Sequence, residues 1–189
     1  MTTLQTTRLR LEPFSETHLD GLHEMNCRPE VYRFLSGQPE TREKTAEGIS
    51  RVQRCWATWG TSWWAFIDLE SSRIAGAGCI QYLRHEAALP TNLESLRGNP
   101  LEIGWRLHPD FWHRGLATEA AEEMAAFAFN RYSLKELLAV RNAENVNSGR
   151  VMERLGMRFR GLESWYGMTL ATHVLSREQW LRKRSPSEA

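Results

Sequence analysis

Glu102-Ile103-Gly104-Trp105-Arg106-Leu107-His108-Pro109-Asp110-Phe111-Trp112-His113-Arg114-Gly115-Leu116-Ala117-Thr118-Glu119-Ala120 reads as a strand, a turn and the opening of a helix. Leu101 to His108 carries the strand pattern, Pro109-Asp110 the turn, and Leu116, Ala120, Met124 and Phe127 one face of a helix over about 114–130. Glu119, Glu122 and Glu123 stand early in that helix, where its dipole favours them. Gly115-Leu116-Ala117 leaves the backbone accessible at a place where the first-turn N–H groups lack internal acceptors. With about half a positive charge from the dipole, such a turn can cradle an anion, although the same residues also suit an ordinary helix start.

A second stretch lies about 30 residues on: Asn142-Ala143-Glu144-Asn145-Val146-Asn147-Ser148-Gly149-Arg150-Val151-Met152-Glu153-Arg154-Leu155-Gly156-Met157. Asn145 suits a helix N-cap, with Ser148 one turn in, and Gly156 suits a left-handed C-cap. These residues either cap a helix or present an amide and a hydroxyl at the mouth of a cleft. Between the two helices, Lys135 to Arg141 gives a short strand.

Upstream, Arg8 to Pro13 alternates as a strand, and Ser15 precedes a helix bearing Leu19, Leu22 and Met25. Ala46, Ile49, Val52 and Trp56 mark a second helix, ended by Gly60. Trp63 to Ile67 and Arg73 to Tyr82 form a hairpin, 84–100 is a long loop, and 157–166 and 168–175 are two closing strands. The implied order is strand, two helices, three strands, helix, strand, helix, two strands. One parallel crossover in an otherwise antiparallel sheet makes this a mixed α/β domain of about seven strands and about four helices.

The 189 residues suit one domain with a substantial core, and 41% hydrophobic with 25% charged residues excludes wholesale disorder. A formal charge of +1 excludes capture of a polyanion by overall electrostatics. The longest apolar run, Met124 to Phe129, is far short of the roughly 20 residues that span a bilayer. Without a signal-peptide layout, and with only Cys27, Cys55 and Cys79, the chain reads as reduced and cytoplasmic. The histidines show no metal spacing, so no metal is expected.

The two stretches together resemble the GNAT superfamily of acyl-CoA-dependent N-acyltransferases, and within it the branch that acetylates N-terminal amines of ribosomal proteins. The family's phosphate turn is Arg or Gln, two residues, Gly, any residue, then Gly or Ala. Here it reads Trp112-His113-Arg114-Gly115-Leu116-Ala117, with Trp112 in place of Arg or Gln. Glu102-Ile103-Gly104-Trp105, Thr118-Glu119-Ala120, Asn145 to Ser148, Leu155-Gly156 and the opening Thr7-Arg8-Leu9-Arg10-Leu11 also match, so the likeness covers about residues 7–180, leaving 181–189 as a tail.

The resemblance implies acetyl-CoA as co-substrate. Its pyrophosphate would meet the backbone from about His113 through Arg114, Gly115, Leu116 and Ala117 to Thr118, beside Trp112. Its pantetheine would pair with the Gly104 to Leu107 strand, which carries Trp105, and Asn145 would bond the pantetheine or nearby backbone. A bulge in that strand would splay it from its parallel neighbour. Glu102 is the candidate general base for the amine, or else a carboxylate that anchors the strand. The family's usual acid, a Tyr seven residues after Asn145, is Met152 here, so Ser148 is the candidate donor, or else only a helix-start residue.

The leading expectation is therefore an acetyl-CoA-dependent N-acetyltransferase acting on a primary amine, either a protein N-terminus or a small molecule. The alternative is a non-catalytic acyl-CoA-binding or sensing module of the same fold. Neither a nucleic acid nor a membrane partner is expected. A homodimer is compatible, with the aromatic run Trp56, Trp59, Trp63 and Trp64 as an oligomer surface or part of the acceptor side. Cys79 reads as core, and His85 and His113 as packing residues that could reach a ligand.

Overall fold

The computed structural model describes residues 1–184. In chain order the elements are β1 (Leu4–Gln5), β2 (Leu9–Pro13), α1 (Leu19–Asn26), α2 (Pro29–Tyr32), α3 (Arg42–Trp59), β3 (Trp63–Asp68), β4 (Ile74–Tyr82), β5 (Leu101–Leu107), α4 (Leu116–Arg131), β6 (Glu136–Arg141), α5 (Val146–Leu155), β7 (Arg158–Trp165), β8 (Met168–Ser176) and α6 (Arg177–Arg184). The expected order holds, with β1, α2 and α6 in addition. The first two are too short to give a periodic signal. α6 has hydrophobic residues too sparse for an apolar stripe, and it is anchored by the buried Trp180, which stacks on Phe129 with ring centroids 5.9 Å apart. Of the tail expected from 181, residues 181–184 belong to α6, and 185–189 lie outside the described residues.

The strands form one sheet in the order β1-β2-β3-β4-β5-β6-β8-β7. Every neighbouring pair is antiparallel except β5 and β6, which run parallel and meet at one register position, Glu102 opposite Leu138. β4 and β5 keep unbroken register from Tyr82 opposite Leu101 to Gly76 opposite Leu107. The splay between β5 and β6 thus arises without the expected bulge in the ladder of β5 with β4.

α4 lies close on the sheet because its buried positions include Ala120, Ala121, Ala125 and Ala128. Glycine in the strand beneath permits this approach: a Cβ at Gly78 would fall 2.4 Å from Phe66 Cζ and 2.7 Å from Met124 Cε. α3 is bounded as its sequence implies, by Thr41, whose hydroxyl accepts from the Lys44 N–H, and by Gly60 at φ +72°.

Three of the four tryptophans of the run, Trp56, Trp59 and Trp64, belong to the core, which corrects the reading of the run as an oligomer surface; Trp63 is half-buried. Trp56, Trp59 and Trp64 are at most 4% exposed. Their indole N–H groups donate to the backbone carbonyls of Trp63, Leu93 and Thr2 at 3.0, 3.0 and 2.8 Å. Trp64 meets both Trp56 and Phe127 edge to face, joining α3 and α4 to the sheet. Spacing alone marks such a stripe as apolar without telling an inner face from an outer one. Among the described residues, no helix is long and apolar enough to cross a membrane.

Candidate active site

The turn between β5 and α4 is held at both ends. The His108 side chain accepts from the Asp110 N–H at 3.2 Å, and Trp112 Nε1 donates to the Leu107 carbonyl at 3.0 Å. His113 and Gly115 both adopt left-handed backbone, φ +60° and +78°, just before the helix begins. Arg8 then fastens the first turn of α4: its backbone N–H and side chain bond Glu119, and its Nη1 donates to the Arg114 carbonyl at 2.8 Å.

A cavity of about 360 Å³ opens on this turn. Trp105 and Leu107 line it from β5, and Trp112, His113 and Gly115 from the turn. Leu116, Ala117 and Thr118 add the first turn of α4, and Asn145 and Ser148 the start of α5. The Arg114 side chain points elsewhere, toward Asp68 and Glu70 at 3.7 and 3.5 Å, so only its backbone belongs to the turn. Asn145 is the cap the sequence suggested, its Oδ1 accepting from the Ser148 N–H at 3.1 Å. Two residues lining the cavity each carry a buried polar atom, Trp105 Nε1 and Thr118 Oγ1, that has no partner within the protein. Buried polar groups are rarely left so, and together with the free first-turn amides they fit an acyl-CoA with its phosphates and amides.

Glu102 sits at the single point where β5 and β6 pair, and it is 5% exposed. Register places Gln81 of β4 directly opposite. Gln81 Nε2 donates to Glu102 Oε1 at 2.6 Å, and Gln81 Oε1 accepts from Trp63 Nε1 at 3.0 Å. The Tyr166 hydroxyl donates a short hydrogen bond to the same Glu102 oxygen. Burial pushes the Glu102 carboxyl above the usual carboxylate range, outweighing the hydrogen bonds from Tyr166 and Gln81 and the nearby Arg84 charge. Burial and the Glu102 charge also push the Cys79 thiol well up, so Cys79 is an inert core residue.

Tyr166 is the partner that sequence reading missed. It occupies the two-residue turn between β7 and β8, with φ +57° followed by Gly167 at +71°. Both central residues of such a turn favour Asn, Asp or Gly, so a bulky Tyr there is costly backbone and the one available signal. Its backbone N–H donates to the Arg84 carbonyl at 2.8 Å, docking the turn onto the 84–100 loop. His85 in that loop stacks on Trp165 at 4.5 Å and is a packing residue, as expected. Met152 is 1% exposed, an apolar core residue where the resemblance would place a Tyr acid.

A second cavity of about 720 Å³ contains Glu102, Gln81 and Tyr166 and reaches α1 and α3. The two cavities share eight lining residues, among them Trp105, Arg106, Val140, Arg141, Asn142 and Ser148, and so join at the splay between β5 and β6. Within the larger one, Arg106 lies 4.5 Å from the Trp63 ring centroid and donates to Asn26 Oδ1 at 3.1 Å. Glu40 accepts from Asn26 Nδ2 at 2.5 Å and from the Thr45 hydroxyl at 3.0 Å.

The chain is similar to known proteins in sequence and in fold. The family model for the acetyltransferase (GNAT) domain matches residues 8–158. A relative from Aspergillus fumigatus, FsC-acetyl coenzyme A-N(2)-transacetylase, is 27% identical over 198 residues, covering 98% of this chain and 80% of its own. Among solved structures, an acetyltransferase from Agrobacterium tumefaciens superposes with a TM-score of 0.76 at 21% identity, over 94% of this chain and 95% of its own. Aminoglycoside acetyltransferase AAC(6')-Ib in complex with coenzyme A superposes with a TM-score of 0.73 at 17% identity, over 93% and 98%.

Proposed function

The chain belongs to the GNAT family of acetyltransferases, and from that premise we propose that it transfers an acetyl group from acetyl-CoA directly to a primary amine within a ternary complex, Glu102 acting as general base. The observation that carries this reading is the pair of cavities joined at the splay, one lined by a helix N-terminus and the other holding the buried carboxylate. Donor and acceptor then meet without a covalent enzyme intermediate.

Acetyl-CoA, when bound, supplies an acyl carbon activated by a thiolate leaving group. The first-turn amides of α4, Thr118 Oγ1 and Trp105 Nε1 would hold it. Alkyl ammonium groups are mostly protonated at pH 7, so the acceptor must lose a proton before it can attack. Glu102 takes that proton, and burial makes it a stronger base than an exposed carboxylate. Gln81 and Tyr166 fix its orientation from two sides. A thiol of pKa near 8.5 leaves with little acid assistance. With Met152 apolar, Ser148, which lines both cavities, is the one hydroxyl on α5 that could offer a proton there.

The test is calorimetric titration with acetyl-CoA, followed by release of free CoA in the presence of a panel of amines, for wild type and Glu102→Gln. Binding with amine-dependent CoA release, abolished in the variant, is expected. No binding at millimolar acetyl-CoA would sink the proposal. Binding without release for any amine would point instead to an acyl-CoA sensor.

A further inference from the structure

The larger cavity carries more positive charge than the proposed chemistry uses. Arg51 of α3, Arg84 of the 84–100 loop, Arg106 of β5 and Arg141 of β6 all line it, against the carboxylates Glu40 and Glu102. Among the described residues, none of the four guanidinium groups has a carboxylate oxygen within 4.0 Å. Arg106 is held by Asn26 and the Trp63 ring, and Glu40 is taken up by Asn26 and Thr45. Arg84 is one of two, with Arg141, that carry a buried Nε–H lacking a partner. Its Nη2 donates to the Ala87 carbonyl at 3.0 Å, but its Nε–H is shielded from water and has no partner.

Arg84 is also placed by the residue that positions the base. Its guanidinium lies 4.5 Å from the centroid of the Tyr166 ring, whose hydroxyl bonds Glu102. One tyrosine therefore holds a carboxylate at its hydroxyl and a cation on its face. A molecule presenting an amine to Glu102 brings its neighbouring atoms toward Arg84. A second ammonium there would enter a partly desolvated chamber lined by four arginines and only two carboxylates, which is unfavourable. A carboxylate there would be drawn to the Arg84 guanidinium in a charge-assisted interaction.

We propose that the acceptor is a small amino-acid-type molecule, a primary amine with a carboxylate a few bonds from the nitrogen, whose anionic end is bound by Arg84 with Arg51 and Arg106 adding positive potential. This rests on the acetyltransferase reading above and narrows it, away from polyamines, aminoglycosides and uncharged peptide N-termini.

The experiment measures kcat/KM for matched acceptors that differ only at the acid: standard L-amino acids and β-alanine, each beside its amide, with spermidine and a peptide bearing an acidic second residue as further arms. Amino acids should exceed their amides by about tenfold or more, mainly through KM. Arg84→Gln should collapse that ratio toward one, and Arg84→Lys should keep part of it. Arg51→Gln, an exposed position on α3, should reduce the ratio without threatening the fold. Amides equal to acids, a ratio unmoved in Arg84→Gln, or preference for spermidine or the peptide would each overturn the inference. The same comparison is made by calorimetry with CoA-loaded protein and the N-acetylated acid and amide products, so the answer does not depend on finding a fast acceptor. Loss of CoA binding would defeat the acetyltransferase reading, whereas CoA binding with no acid-over-amide preference would defeat this inference alone.

Discussion

Replacing Tyr166 with Phe removes one hydroxyl and leaves the ring, its stack with Arg84 and the turn backbone in place. The lost group donates a hydrogen bond to the buried carboxylate of Glu102. A hydrogen bond to a charged group contributes about 1.5–3 kcal/mol, and here it favours the ionised form. Without it the proton affinity of Glu102 rises by a factor of about 10–100, adding to the upward push that burial already exerts. The acid limb of the pH profile for kcat/KM should therefore move to higher pH, while the rate above that limb falls much less. Release of CoA followed with a thiol reagent gives the profile, and using one amine for both proteins cancels the acceptor's own titration. A uniform loss of rate with the limb unmoved would refute the reasoning, since Tyr166 would then act on something other than the ionisation of Glu102. A limb displaced to lower pH would refute it more directly, because the sign would be wrong.

Further outcomes follow from the same contacts. Glu102→Gln should lower kcat/KM by about 10²-fold or more, the usual contribution of a general base. It should also raise the melting temperature at neutral pH: burial makes the folded chain bind this proton more tightly than the unfolded chain, so stability falls as pH rises through the folded titration, and the variant's advantage should vanish in acid. Thr118→Val removes a buried hydroxyl that has no partner within the protein; CoA affinity measured by calorimetry should fall about 2- to 10-fold, with no loss of thermal stability in the unliganded protein. Gly78→Ala drives a Cβ into Phe66, Met124 and the Gly104 carbonyl, and should cost about 1–3 kcal/mol in urea denaturation, where an unchanged midpoint would show that α4 can move away from the sheet.

What the sequence made legible divides by distance along the chain. The strand, turn and helix from Glu102 to Ala120, and the Asn145 cap on Ser148, are local devices whose spacing carries the information. The partners of Glu102 are not local: Gln81 is 21 residues away and Tyr166 is 64, and only the sheet register brings them to one oxygen. Tyr166 nonetheless left a trace in the sequence, as a bulky residue before Gly167 in a turn whose backbone favours Asn or Gly. A local rule broken at one place, with the offending side chain on a buried carboxylate, is how strain at a functional site looks from sequence.

The splay shows where the resemblance was right in effect and wrong in cause. β5 and β6 are parallel and touch at Glu102 and Leu138, near the N-terminal end of each. Beyond that contact the two strands diverge toward their C-terminal ends, and the residues shared by both cavities, among them Trp105, Arg106, Val140 and Arg141, lie on the diverging parts. A constant register with β4 keeps β5 straight on its other edge, so the opening needs no bulge there. Each diverging strand leads into a helix whose N-terminus faces the gap, as ligand sites in sheets with parallel strands commonly do. At the apex of the opening, a carboxylate is buried by sheet pairing and yet lines a cavity. Moving the base one residue along β5, to Ile103, would turn it to the opposite face of the sheet, because side chains alternate across a strand. A Glu102→Ala, Ile103→Glu double variant should therefore fail to restore amine-dependent CoA release, and recovery of activity would show that position on β5 does not determine the base.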